Sequence, residues 1–127
     1  MNDLNHEVRL TIPADAAYVP VATLALSGLG MVAGLDVDLL GDLRTVTAEA
    51  LDCLFNQAGR PQCIEICAGV HEGMLCVRFC AQNRCRVQEA DELDVEITRG
   101  VLETLMPQVT LEVDEDGVHN ILCAMPV

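Results

Sequence analysis

Aromatic residues are nearly missing from this 127-residue chain: Tyr18, Phe55 and Phe79 are present, and tryptophan is not. Any core must therefore be aliphatic, built from Leu, Val, Ile and Ala. Positive charge is equally sparse. Seven Lys and Arg stand against twenty Asp and Glu, a net charge of −13. Such a balance repels nucleic acid and anionic membrane and favours solubility, so a large partner is expected to be a protein with a basic face. The opening "MNDLNHEVRL" lacks the positive start and apolar stretch of a signal peptide. A cytoplasmic setting is the expectation, and there the seven cysteines should remain thiols. Repeats, low-complexity tracts and long linkers are also lacking, so residues 1–127 are expected to form one domain. A chain of this length buries roughly two-thirds of its unfolded surface and needs no staples.

Charge is absent altogether from residues 16 to 35, "AAYVPVATLALSGLGMVAGL", which lie between Asp15 and Asp36. The run just reaches membrane-spanning length, but Pro20, Thr23, Ser27 and three glycines dilute it, and no basic residue flanks it. A dinucleotide fingerprint fits the spacing badly, because Gly28, Gly30 and Gly34 leave three residues in the second gap instead of two. A helix fits best. Asp15 can cap it, Pro20 falls near its first turn, and Gly34 can end it. A helix apolar nearly all round is expected to be a core helix, or to offer its outer face to a partner or a second copy.

Around that run the patterning changes period. "EVRLTI" (7–12) alternates as a strand. A second helix is expected from the Asp36 cap to Gly59, with Leu39, Leu43, Val46, Ala50, Cys53 and Leu54 on one stripe. "CIEICAG" and "MLCVRFCAQ" read as two strands, "DELDVEITRGVLETLM" as a helix stopped by Pro107, and "VTLEVDEDGVHNILCAM" as a hairpin with Asp116-Gly117 as its turn signal. The expected fold is an α+β two-layer sandwich: a mostly antiparallel sheet of four to five strands, with three helices on one face.

Two motifs come close to metal chemistry and miss it. Asp36, Asp38 and Gly41 imitate a calcium loop, but Leu40 and Thr47 stand where ligands are needed, so a plain helix start is expected. Four cysteines lie on one face of the central strands. With a turn centred between His71 and Glu72, Cys63 would oppose Cys80, Glu65 would oppose Arg78, and Cys67 would oppose Cys76. The two cysteine pairs would then lie roughly 13 Å apart along the strands, too far for one tetrahedral zinc. Either pair could form a redox-sensitive bond, or all four could be ordinary half-buried thiols. His6, His71 and His119 are scattered and expected at the surface.

Residues 9–59, from "RLTIPADAAY" to "EALDCLFNQAG", together with "LETLMPQVTLEVDEDGVHNILCAMPV", resemble bacterial anti-sigma-factor serine kinases of the histidine-kinase-type ATPase superfamily. The resemblance rests on element order and pattern and spans most of the chain. It implies ATP and Mg²⁺ bound between helices and sheet, with a sigma factor or an anti-anti-sigma factor as partner. It also allows each nucleotide-holding motif to be checked. The first, E-A-x-x-N, reads "EALDC": Glu49 keeps the base position, but Cys53 stands where Asn would hold Mg²⁺, and a thiol is a poor ligand for that cation. The second, D-x-G, falls by strand parity on Ala81 and Asn83, which removes the acceptor for adenine. The third, a glycine-rich turn that receives phosphate at a helix start, falls on Glu96 and Thr98 after an acid-rich lid.

The sequence thus predicts a degenerate member of that superfamily, working by protein binding without kinase activity. No cofactor, metal, nucleic acid or membrane is expected. Partner contacts are expected on the outward face of the first helix and on the cysteine-bearing sheet face, and a homodimer through one of them is consistent. The alternatives are an ATP-dependent serine kinase with an atypical site, using ATP and Mg²⁺, and a thiol-based redox sensor using Cys63–Cys80 or Cys67–Cys76.

Overall fold

The computed structural model describes residues 7–87 and 95–127. Strand β1 (Val8–Pro13) leads through a short 3₁₀ turn (Ala16–Tyr18) into α1 (Val19–Ala33) and α2 (Val37–Phe55). A two-residue strand β2 (Gly59–Arg60) precedes the long hairpin of β3 (Cys63–His71) and β4 (Met74–Gln82). Then come β5 (Cys85–Arg86), α3 (Val95–Leu105), β6 (Gln108–Asp114) and β7 (Gly117–Pro126). Five strands form one sheet in the order β1-β3-β4-β7-β6, each neighbour antiparallel, and β2 pairs separately with β5. The helices pack on one face, with α2 between α1 and α3. This is the expected α+β sandwich.

Local chemistry sets the element ends. Asp36 is extended, and its carboxylate accepts the Leu39 N–H at 2.9 Å, capping α2 and not a metal. Asp15 caps the 3₁₀ turn, accepting from Ala17 N at 2.9 Å, so α1 itself starts later, at Val19, with Pro20 in its first turn. Gly34 ends α1 at φ 91°. The expected α2 stripe is buried at Leu43, Val46, Ala50, Cys53 and Leu54, but the helix stops at Phe55 and not at Gly59, which β2 takes up.

Three expectations are corrected. The first helix is not a core helix: only Ala22, Leu26 and Gly30 are buried, while Leu24 (73% exposed), Met31 (67%) and Val32 (85%) face outward. Gly30 lets it approach α2, since a Cβ there would meet Leu40, Leu35 and Leu43 side chains. The β3–β4 turn is centred on Glu72 and Gly73, both at positive φ (50° and 76°), the two-residue geometry that suits a twisted hairpin. That moves every partner by two. Cys67 faces Arg78, Glu65 faces Cys80, Cys63 faces Gln82 and Cys76 faces Gly69, so neither Cys63–Cys80 nor Cys67–Cys76 is an opposed pair. In the last hairpin the tight turn is Glu115-Asp116, with Gly117 at φ 102° just beyond it.

The core is aliphatic around one ring. Across the inner sheet face, Leu10, Ile66, Phe79, Ile121 and Leu111 stand side by side, and Ile66, Phe79, Ile121 and Leu111 are buried with Leu43, Leu51, Leu54 and Leu102 of the helices. No helix packs on the outer sheet face among the described residues. There the polar residues alternate as a half-covered antiparallel sheet requires.

Candidate functional site

The helix side of the sheet gathers part of the expected cleft. Glu49 and Cys53 stand one turn apart on α2, and Thr98 reaches Cys53 from the first turns of α3. Cys53 is 1% exposed and Thr98 6%; the Gln57 amide donates to the Cys53 sulfur at 3.6 Å, and the Thr98 hydroxyl stands beside it. Burial pushes the Cys53 thiol up, the Thr98 bond opposes this, and the charges of Asp52 and Glu49 add to it. A neutral, buried thiol is a poor ligand for a hard cation. Glu49 itself is half-buried.

Neighbouring oxygen donors are committed elsewhere. The Asn56 amide donates to the Asp52 carbonyl at 2.7 Å and to its carboxylate at 3.3 Å. Gln57, 2% exposed, spans the end of α2: its amide donates to Cys53 O at 2.9 Å, and its carbonyl accepts Val118 N–H at 3.0 Å.

Ala81 lies on the inner face of β4 opposite Ile64 and packs on the core. Asn83 follows the strand, exposed and at φ 53°. Next to it, Arg84 crosses Gly59, where an added Cβ would lie 2.6 Å from the guanidinium, and forks onto Asp114 at 2.7 and 2.9 Å. Arg84 therefore spends its charge on a protein carboxylate. The bidentate bond, with the Asp116 N–H bond, holds the Asp114 carboxyl well below the usual carboxylate range. Glu96 is exposed and ion-paired with Arg99 at 3.6 Å. The rest of the acid-rich lid, residues 88–94, lies outside the described residues, as does His6. Gln57 and Arg84 carried no signal in the sequence; they acquire their roles from contacts 61 and 30 residues away.

On the opposite, bare face of the sheet is a shallow concavity of ≈ 560 Å³, lined among others by Cys67, His71, Cys76, Arg78, Gln108 and Thr110. It is remote from Glu49 and Cys53, which lie beneath the helices. Among the described residues no group of three or more His, Cys, Asp or Glu side chains is placed to hold a metal ion.

No family model matches the chain, and no curated protein matches it. A solved structure does. The chain resembles part of the crystal structure of the RsbU and RsbW domains of Rv1364c from Mycobacterium tuberculosis, with a TM-score of 0.70 at 12% identity. The match covers 94% of this chain and 32% of that one, so the chain spans about a third of the solved chain's length. The architecture is that of the RsbW-like, ATPase-type fold.

Proposed function

We propose that this domain regulates transcription in the cytoplasm as an anti-sigma-type protein-binding module, and that it neither binds ATP nor phosphorylates its partner. The reading is carried by Cys53 and Thr98, both buried where the resemblance expects magnesium and phosphate to enter. Ala81 in place of an adenine-reading acid, and Arg84 engaged by Asp114, support it. The solved neighbour carries an RsbW domain, which favours a sigma factor or an anti-anti-sigma factor as the class of partner. The surface we assign to that partner, or to a second copy, is the outward face of α1. Val21, Leu24, Met31 and Val32 leave it apolar and open.

The test is thermal denaturation with and without ATP and Mg²⁺. A bound nucleotide at ten times its dissociation constant would stabilise the fold by roughly 1.4 kcal/mol. An unchanged midpoint is expected. A clear rise that Glu49→Gln leaves intact but Thr98→Arg removes would revive the kinase, with Glu49 as its base.

A further inference from the structure

The outward face of α1 has a spacing as well as a composition. Val21, Leu24, Gly28 and Met31 stand three, four and three residues apart on it, and all four are exposed. A three-four alternation of apolar positions is the seam that one helix presents to another. Over the 15 residues of α1, at about 1.5 Å each, the seam is about 22 Å long. Gly28 lies in its middle, four residues from both Leu24 and Val32. A Cβ added there would meet nothing, so the seam has a dip that a large apolar side chain can enter. Only 17% of residues 16–33 are buried, so the seam is open along its whole length.

Charge selects what can cover it. Between Arg9 and Arg44 the chain has four acids, Asp15, Asp36, Asp38 and Asp42, and no base. Asp15 is exposed where the chain enters the helix, and Asp36 and Asp38 are exposed just beyond its end. Both ends of the apolar seam are therefore negative. A second copy would bring acid against acid, whether the two helices ran parallel or antiparallel, on a molecule that already carries −13. A lipid surface rich in anionic headgroups is repelled for the same reason. A helix with cations at both ends meets the opposite charge at each.

We propose that α1 receives an amphipathic helix of a partner protein, apolar along its middle and carrying Lys or Arg at both ends. Its apolar side chains pack on Val21, Leu24 and Met31, and one of them fills the dip at Gly28. Its terminal cations face Asp15 at one end and Asp36 and Asp38 at the other. This rests on the reading that α1 is the contact surface, and adds the chemistry of what is bound there. The division of labour follows from the physics. Ion pairs this close to water contribute little each, so the seam holds the partner while the acids choose and orient it.

The experiment is fluorescence anisotropy with the intact protein and two labelled amphipathic peptides about as long as α1. Both have a leucine seam; one has lysines at its ends and the other glutamates. The lysine peptide is expected to bind, less tightly as salt rises, and the glutamate peptide is not. Asp15→Asn with Asp36→Asn removes two charges while keeping both caps, because Asn caps as Asp does. That variant should bind the lysine peptide roughly fivefold more weakly and with a flatter salt dependence, at an unchanged melting midpoint. Equal binding of the two peptides, or an affinity untouched by the double Asn variant, would overturn the charge assignment and leave α1 as the contact. Binding that survives Leu24→Ser with Val32→Ser would overturn the α1 reading itself, and a lysine peptide that does not bind overturns the proposal. So would a concentration-dependent dimer in sedimentation, or association with phosphatidylcholine vesicles, if either is lost in Leu24→Ser with Val32→Ser.

Discussion

Gln57 shows how much one polar side chain can hold. Two of its three hydrogen bonds satisfy a helix-end carbonyl and a strand N–H, both inside the protein. Gln57→Leu keeps the volume and strands both groups, so it should cost about 1–3 kcal/mol, read as a lower urea midpoint with an unchanged slope. Gly117 makes the same point by absence. At φ 102° it sits where L-residues are strained, and a Cβ would collide with the Gln57 side chain. Gly117→Ala should therefore destabilise by about 1–3 kcal/mol, while Gly28→Ala, which meets nothing, should not. Asp114 adds a pH dependence. Its native pKa is depressed by Arg84, so its contribution is complete above the unfolded value of about 3.9 and disappears as the pH falls further. Urea midpoints stepped downward from pH 5 should fall less steeply in Asp114→Asn than in the parent. Equal slopes would rule the pair out as a source of acid lability.

Among elements, the β3–β4 hairpin was legible as two strands and as two faces, but not in its register. Alternation fixes which side a residue takes, and both sums of paired positions satisfy it equally. What decides is backbone conformation at Gly73, where positive φ without a Cβ makes a two-residue turn at Glu72-Gly73 cheap. Gly73→Ala should cost about 1–2 kcal/mol, and Gly73→Asn less, because Asn tolerates that region. The helices divide in a similar way. The stripe on α2 named its buried residues because polar residues mark its other side, whereas α1 has no charge with which to declare an outside. Only packing against α2 shows that Leu24, Met31 and Val32 lie away from the core. Leu24→Ser with Val32→Ser should leave stability within about 0.5 kcal/mol but abolish capture of the proposed partner in a pull-down. Retained capture would move the contact elsewhere.

At the scale of the whole molecule, a bare sheet face and an apolar helix face lie on opposite sides of one aliphatic core. The layered class was readable from the order of periodicities. The β2–β5 pair was not, since two-residue strands carry no pattern. Of the candidate site, the resemblance named Cys53 and Thr98 as separate motif positions without saying that they meet, and the outer-face neighbours of Cys67 depended on the unreadable register. A net charge of −13 acts on everything at once. Self-repulsion of that size is screened by salt, so the melting midpoint should rise between 10 mM and 150 mM sodium chloride.

The seam closed by Cys53 gives the molecule a clock of its own. Burial keeps that thiol neutral between α2 and α3, and pushes Cys123, deep between sheet and helices, up to about 12. Neither sulfur can meet an alkylating reagent until its surroundings part. If α3 lifts away alone, Cys53 will be alkylated well ahead of Cys123; if the two are consumed in step, the helical layer and the sheet come apart as one unit. The native chain thus reports its own opening, with no label introduced.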